Sequence, residues 1–248
     1  MYMDGQPRYQ EIDLVRGIAI LMMITFHTLF DLNFFSVFSV EVASGFWRYF
    51  ALATATLFLL VAGISLTISR ARMPAQVTRA QVFWKFFLRG AGIFLVGLIV
   101  TLGTWIYLKE GFIFFGILHL IGISVMLSPL FFWLKKRAVP AGLLCIIVGY
   151  IIAPVHGPIW LLPLGIHPAS FWSVDYEPLF PWIGCVLIGM GLGDYLYRDG
   201  KRQFVVPDIP VIIIRSLAFL GRHSLIIYLI HQPIIILLIA ALTGTRIF

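Results

Sequence analysis

The sequence predicts an all-α, polytopic membrane protein, a single helical bundle with about seven transmembrane helices. Two observations lead to this prediction. Of the 248 residues, 60% are hydrophobic and only 12% are charged, a composition that soluble domains of this size do not show. Apolar runs of ~20 residues, the length that a helix needs to cross a bilayer, recur along the whole chain. They leave no space for a separate soluble domain, so we expect residues 1–248 to form one membrane domain.

The apolar runs predict seven spans. They cover residues 14–37, 46–69, 83–108, 112–134, 138–154, 178–197 and 220–243. The first run lacks the short apolar core and the small-residue cleavage site of a signal peptide, so we expect it to stay attached. The segment 156–178 is too rich in Pro, Gly and aromatic residues to span, which predicts an interfacial or re-entrant cap. Residues 205–216 are expected at the surface before the last helix.

The basic residues predict the orientation in the cell membrane. With the amino terminus in the cytoplasm, only Arg48, Lys109 and Arg246 of the 18 Lys and Arg residues fall outside. Seven alternating spans then place the carboxyl terminus on the extracytoplasmic side. The inner fifteen are Arg8, Arg16, Arg70, Arg72, Arg79, Lys85, Arg89, Lys135, Lys136, Arg137, Arg198, Lys201, Arg202, Arg215 and Arg222. The net charge of +7 is therefore a topology signal, which makes nucleic-acid binding an unnecessary interpretation, and the basic face also suits anionic membrane lipids or a polyanionic cytosolic ligand.

Ionisable groups inside the first span predict a functional site, because such groups are costly in a bilayer. Arg16 stands at the inner mouth, and His27 follows eleven residues later on nearly the same helix face, ~16 Å deeper. Asp31 comes one turn later. A carboxylate at that spacing can accept a hydrogen bond from the imidazole and leave its other nitrogen free to take a proton. Alternatively, His27 bonds a neighbouring helix and Asp31 lies in the outer interface.

Two further histidines, His119 and His231, also lie at membrane depth. Either could line the same cavity as His27, and either could instead be a packed, hydrogen-bonded histidine. Gln232 and Pro233 follow His231, break the helix pattern and supply a local polar cluster.

No cofactor site is predicted in the outer segment 156–178 or in the glycine-rich third and sixth spans. His156, His167, Asp175 and Glu177 match no zinc spacing, so we expect no metal. The glycines of the third and sixth spans indicate close helix packing and permit a homodimer without demanding one.

Five blocks of the chain, in order, resemble the small prokaryotic members of the heparan-α-glucosaminide N-acetyltransferase catalytic-domain family. The blocks are EIDLVRGIAILMMITFH, TLFLLVAGISL, FGILHLIGIS, DYEPLFPWIGCVLIGMGLG and FLGRHSLIIYLIHQP. The spacing of Arg16 and His27, and the pattern Gly221, Ser224, Tyr228, His231, also resemble the membrane acyltransferase-3 family. Both families move an acyl group, commonly acetyl, from cytosolic acyl-CoA to an acceptor, often a sugar, at or beyond the membrane.

The resemblance implies an acyl-CoA-dependent O- or N-acyltransferase with acetyl-CoA as the donor and a small molecule or glycan as the acceptor. His27 would act as the general base, or as an acyl-carrying nucleophile, with Asp31 orienting its imidazole. The thioester would arrive near His27. The other catalytic candidates are His119, Tyr228 and His231, of which the first two could stabilise an oxyanion. The candidates for binding the donor phosphates are Arg16, Arg70, Arg72, Arg89 and Arg222.

Departures from the family pattern limit what the resemblance carries over. The lysosomal members have more helices, and their first-helix histidine lies further along, where this chain reads VFSV. The role of His27 therefore rests on the acyltransferase-3 likeness, and the acceptor is not inherited. Two alternatives stay open besides a pure assembly role. One is a small transporter with a basic mouth, although no internal repeat is evident, and the other is a protein that binds haem through paired intramembrane histidines.

Overall fold

The protein is described by a computed structural model over residues 8–206 and 211–244. Within these residues the regular structure is helical, and the only β pairing is two isolated bridges. The helices are α1 (Gln10–Phe34), α2 (Gly45–Ala71), α3 (Arg79–Leu108), α4 (Ile117–Leu127), α5 (Ala138–Ile152), α6 (Leu179–Leu196), α7 (Val211–Arg222) and α8 (Ser224–Thr243). The predicted all-α class is confirmed. Arg246 and the two chain ends, for which the sequence predicted a side of the membrane, lie outside the described residues.

The predicted count of seven spans is not confirmed. In the described part of the chain, five helices are long and apolar enough to cross a membrane, namely α1, α2, α3, α6 and α8. The predicted fourth and fifth spans form a pair, Ile117–Leu130 and Phe132–Ile152, bent by 100°, which would raise the count to six as one span. The α-helix of the first member ends before Pro129, and Lys135 has a positive φ of 49°. Pro129 therefore ends the α-helix inside the predicted fourth span, and the basic turn lies between the two predicted spans.

The chain forms two compact units. The first unit consists of Met1–Phe58 with Val205–Phe248, and the second of Leu59–Phe204. Helix α2 contributes its first half to one unit and its second half to the other. The single domain expected over residues 1–248 stays a prediction.

In the first unit, α1 packs against α7 and α8. Glycines set how closely α1 and α7 approach. A Cβ added at Gly17 would meet the backbone carbonyl of Leu217, and one added at Gly221 would meet that of Asp13. The two helices therefore touch backbone to backbone, the arrangement that small residues permit in membrane helices.

In the second unit, α6 packs between α2 and α5. Leu60 and Ile64 of α2 lie against Gly189 and Gly193, so α2 and α6 run parallel. On the α5 side, Gly142 packs on Gly184 and Val139 on Gly191, so α5 and α6 run antiparallel. The close packing predicted for the glycines of α6 is confirmed. Phe86 of α3 and Leu120 of α4 are fully buried in the same core as Leu59 and Val186.

Helix α3 pairs with α4 in the antiparallel direction. Gly90 packs on Met126 near one end of the pair, and Gly97 packs on His119 nearer the other.

Helix α3 begins with a capping box, in which the backbone N–H of Thr78 donates to the Gln81 side chain at 2.9 Å and the Gln81 N–H donates to the Thr78 hydroxyl at 3.3 Å. This exchange satisfies backbone donors at the helix start.

The bent pair α4–α5 returns to the end of the unit from which it starts. Helix α4 begins beside the start of α6, because Phe115 forms a β-bridge with Tyr176. Helix α5 ends beside the same start, because Gly149 packs on Pro181. The pair thus makes two short passages or a re-entrant hairpin, and one bent span is disfavoured.

These helix directions separate charges between the two ends of the second unit. One end, called the basic end below, includes the end of α2, the first three turns of α3, the α4–α5 bend and the end of α6. Its basic residues are Arg70, Arg72, Arg79, Lys85, Arg89, Lys135, Lys136, Arg137, Arg198, Lys201 and Arg202. The opposite end carries Lys109 together with Glu110, Asp175 and Glu177. The basic clusters that lie far apart in sequence are therefore neighbours at one end.

A glycine substitution tests the contact between α1 and α7. Gly17→Ala should lower the unfolding temperature in detergent, because the added methyl group overlaps the Leu217 carbonyl, at a cost of about 1–3 kcal/mol. Gly92→Ala in α3 is the control, since its Cβ would meet nothing within 4 Å and alanine is the better helix former. Equal unfolding temperatures for the two variants would disprove the close contact.

Candidate functional site

Two of the predicted histidines meet in the first unit. His27 of α1 and His231 of α8 have ring centroids 4.9 Å apart and ring planes at 80°. His231 is only 7% exposed. The packing of α8 on α1 therefore brings together groups that lie far apart along the chain.

Backbone carbonyls determine which nitrogen of each ring carries the proton. Nδ1 of His27 lies 2.9 Å from the Met23 carbonyl, and Nδ1 of His231 lies 2.6 Å from the Tyr228 carbonyl. Because a carbonyl only accepts, both Nδ1 atoms are donors, and each neutral ring keeps a lone pair on Nε2. Nε2 of His231 is buried and has no hydrogen-bond partner among the described residues. Both rings thus have the form that a general base requires.

The predicted hydrogen bond between His27 and Asp31 is wrong. Asp31 is 2% exposed, and its two carboxylate oxygens accept from Nε2 of Gln232 at 2.7 and 2.8 Å. The carbonyl of Met23, one turn back on the same helix, takes the His27 proton instead. The sequence did not predict this role of Gln232, although an amide inside an apolar helix next to a histidine was the available signal.

The remaining candidates of the first unit take different positions. The ring of Tyr228 lies 5.6 Å from that of His231. Arg16 forms an ion pair with Asp13 at 3.1 Å, so an acidic neighbour already balances part of its charge. Arg222 follows Gly221, which abuts the Asp13 backbone. Arg16 and Arg222 therefore belong to the same end of the α1–α7 pair.

His119 lies in the second unit and makes structural contacts. It is 2% exposed and packs between the rings of Phe94, at 5.1 Å, and Phe115, at 5.5 Å. Its Nδ1 accepts from the Gly116 N–H at 3.3 Å, which leaves Nε2 to donate to the Thr101 hydroxyl at 3.4 Å. Both ring nitrogens hold the start of α4 in place. These contacts favour the packed, hydrogen-bonded alternative for His119.

A cavity of about 770 Å³ opens at the basic end of the second unit. Arg70, Arg79 and Lys135 contribute cationic side chains to its lining, and Asp194 and Asp199 contribute carboxylates. Its aromatic lining residues are Phe83, Phe131, Phe132, Trp133 and Tyr197. Of the predicted donor-binding residues in this unit, Arg70 lines the cavity, whereas Arg72 and Arg89 do not. Arg79 and Lys135 were missed as binding residues because their sequence pattern indicates only topology.

The opposite end of the second unit carries two partly buried carboxyl groups. The backbone N–H of Glu177 donates to the Phe115 carbonyl at 2.9 Å, and Oδ2 of Asp175 accepts from the Ile117 N–H at 3.4 Å. Burial raises the pKa of Asp175 to about 6. Burial, and then the adjacent Asp175, raise the pKa of Glu177 well above its usual value. Among the described residues, no three His, Cys, Asp or Glu side chains cluster so as to hold a metal ion.

The segment predicted as a cap, residues 156–178, is ordered by contacts within itself. It contains the short helical turn Ile159–Leu164 and a β-bridge between His156 and His167. The Tyr176 hydroxyl donates to the Leu162 carbonyl at 2.7 Å, and burial raises the pKa of this tyrosine to about 12. The segment therefore packs on itself and on residues 111–117 of the second unit.

Comparison with known families assigns the chain. Residues 8–233 match the model of the family described as heparan-alpha-glucosaminide N-acetyltransferase, catalytic. The chain belongs to that family. No curated protein and no solved structure matches it.

Membership makes this chain a membrane acetyltransferase of a family that uses acetyl-CoA as its donor. Family membership favours acetyl transfer over the alternative of a small transporter. The geometry also disfavours haem held between His27 and His231, because rings in direct contact leave no room for the haem plane that two axial ligands must flank. The acetyltransferase thus presents a histidine pair in one unit and a basic cavity in the other.

The raised pKa of Asp175 makes the stability of the acetyltransferase depend on pH. In the folded protein its carboxyl group ionises near pH 6 instead of 3.8, so stability falls as the pH rises through this interval and the loss is complete above it. Asp175→Asn keeps an oxygen that accepts from Ile117. It should raise stability at pH 7.5 by about 1–3 kcal/mol and leave it nearly unchanged at pH 4.

Thermal unfolding in detergent at both pH values measures this difference. Glu110→Gln is the control, because Glu110 is an exposed carboxylate at the same end and should show no gain at either pH. A loss of stability in Asp175→Asn at pH 7.5 would contradict the cost ascribed to the buried charge.

Proposed function

We propose that this acetyltransferase moves the acetyl group of acetyl-CoA to a hydroxyl or amino group of a small molecule or glycan, with the intramembrane His27 as general base. The observation that carries the proposal is the histidine pair. His27 and His231 are in ring contact, and each Nδ1–H is held by a backbone carbonyl. Each neutral imidazole therefore directs its proton-accepting nitrogen away from its own helix.

The proposed reaction needs one base and one group that stabilises negative charge. The acceptor oxygen or nitrogen attacks the thioester carbonyl carbon while Nε2 of His27 takes its proton. The C–S bond then breaks, and the CoA sulfur leaves with the proton that His27 returns. Tyr228, whose ring lies 5.6 Å from that of His231, is the predicted oxyanion donor that belongs to the same unit as His27. A covalent acetyl-histidine is the alternative course.

The cavity at the basic end supports a site for the nucleotide part of the donor. Its volume of about 770 Å³ lies in the range of ~300–1,000 Å³ that small-molecule sites occupy. Arg70, Arg79 and Lys135 would bind phosphate oxygens through charge-assisted hydrogen bonds. Asp194 and Asp199 oppose this binding, although Arg198 lies 4.0 Å from Asp199 and offsets part of that charge.

The other predicted donor residues receive less support. Arg16 is already paired with Asp13, and Arg72 and Arg89 are not part of the cavity lining. Arg222 remains a candidate at its own end of the first unit. Each role rests on contacts within one unit, so each is tested by its own experiment.

The proposed orientation places the basic end of the second unit in the cytoplasm. The separation of basic residues from Glu110, Asp175 and Glu177 supports this choice under the positive-inside rule. The α4–α5 pair returns to the end where it starts, so it adds an even number of membrane crossings. Together with the five long helices, the total number of crossings is odd. That supports a cytoplasmic amino terminus and an extracytoplasmic carboxyl terminus. Exposed apolar side chains such as Leu95 and Ile99 would contact membrane lipids.

Removing the proposed base should abolish transfer without affecting donor binding. His27→Ala should slow CoA release from acetyl-CoA by about 10²–10⁴-fold, because general-base catalysis is lost. The assay detects free thiol in the presence of glucosamine, glucose or glycerol as trial acceptors. His223→Ala, which removes an exposed histidine of the same unit, should keep the wild-type rate. If His27→Ala kept the wild-type turnover, the general base would have to be another residue.

Neutralising the cavity cations should weaken donor binding. Arg79→Gln and Lys135→Gln should each raise the Kd for acetyl-CoA by about tenfold, since a hydrogen bond to a charged group is lost. Calorimetry on the purified protein measures Kd at two salt concentrations, and the effect should shrink at high salt. Lys201→Gln at the same end, outside the cavity lining, should change Kd less than twofold. Unchanged Kd values in both cavity variants would disprove this donor site.

A further inference from the structure

We infer that Gln232, with His231 beside it, selects the acceptor: the side-chain oxygen of Gln232 accepts a hydrogen bond from a second hydroxyl or amino group, adjacent to the one that is acetylated, and Nε2 of His231 accepts from a third donor hydrogen where the acceptor carries one. This inference rests on the proposed function and adds the residues that distinguish one acceptor from another. In this view Gln232 and His231 touch the acceptor, and Asp31 is a positioning residue that acts through Gln232.

The orientation of the Gln232 amide is determined by Asp31. Nε2 of Gln232 donates to both carboxylate oxygens, at 2.7 and 2.8 Å. Turning the amide over would place its oxygen against the carboxylate, where two acceptors repel each other. The oxygen Oε1 therefore points away from Asp31, and it is buried without a hydrogen-bond partner among the described residues.

The neighbouring residue on α8 presents a second acceptor of the same kind. The Tyr228 carbonyl holds the proton of His231 on Nδ1, so Nε2 of the neutral ring can only accept. This nitrogen is also buried without a partner. Buried acceptors are almost always paired, and one left unpaired costs about 1–3 kcal/mol. Two of them on adjacent residues indicate a ligand that brings hydrogen-bond donors.

The chemistry of the two acceptors restricts the class of ligand. Hydroxyl and amino groups donate and fit, whereas carboxylates, phosphates and ketones only accept and do not. The His27 ring, 4.9 Å from that of His231, is the proposed base for the reacting group. An acceptor with two neighbouring donor groups would therefore satisfy the base and the Gln232 oxygen together. One with a single donor would leave a buried acceptor atom unpaired.

Matched neutral probes test this selection directly. trans-Cyclohexane-1,2-diol and cyclohexanol share a ring and differ by one neighbouring hydroxyl. Calorimetry of the purified protein in the presence of CoA should give an affinity about tenfold higher for the diol. Gln232→Met, which keeps the side-chain length and removes the oxygen, should bind both probes equally and keep the wild-type Kd for acetyl-CoA. Gln203→Met, an exposed glutamine of the other unit, should keep the preference.

Variants of Asp31 test its positioning role. Asp31→Asn can still accept one hydrogen bond from Gln232 and should retain part of the preference for the diol, whereas Asp31→Ala should lose it. The inference would be overturned if the wild type bound the two probes with equal affinity or bound neither, and this result does not depend on the folding of any variant. A full preference for the diol in Gln232→Met would also overturn it. Failure of the proposed function would be seen separately, as a wild-type protein that binds the diol selectively but does not bind acetyl-CoA.

Discussion

A polar group in the apolar interior of a bilayer has no water to bond, so it must find its partner within the protein, and this constraint governs the architecture. Backbone groups satisfy it by forming helices. Hydroxyl groups satisfy it within their own helix, as when Thr25, Thr28 and Thr54 each donate to the carbonyl four residues earlier. His27 follows the same rule through Met23. In the described part of the first unit, Nε2 of His231 and Oε1 of Gln232 are left without a partner, and they mark the place where a ligand is expected.

Close packing between helices depends on glycine, because lipid and leucine are equally apolar and burial alone drives little association. Gly17 and Gly221 allow α1 and α7 to touch through their backbones in the first unit. In the second unit Gly184 and Gly189 let α6 contact α5 and α2 in the same way. The unit that carries the histidine pair and the unit that carries the cavity are therefore built on the same packing principle.

The proposed chemistry assigns different tasks to different polar groups. The cations of the cavity would bind a charged donor, which needs strong and salt-sensitive attraction. The histidine pair would move one proton, which needs a lone pair in a fixed direction. The amide of Gln232 would recognise the acceptor. Asp31, the only acidic group in this cluster, serves to orient that amide and leaves the imidazole to the backbone.

The sequence by itself determined the membrane class, the long helices α1, α2, α3, α6 and α8, the basic asymmetry and the candidate histidines, because hydropathy and length are local properties. Only the tertiary structure decided that α4 ends at Leu127, inside the predicted fourth span, that Asp31 pairs with Gln232 across 201 residues, and that Arg79 and Lys135 share a cavity. These features depend on which faces of the helices meet. Apart from the glycines, side chains that face lipid and side chains that face protein are equally apolar, so hydropathy does not distinguish them.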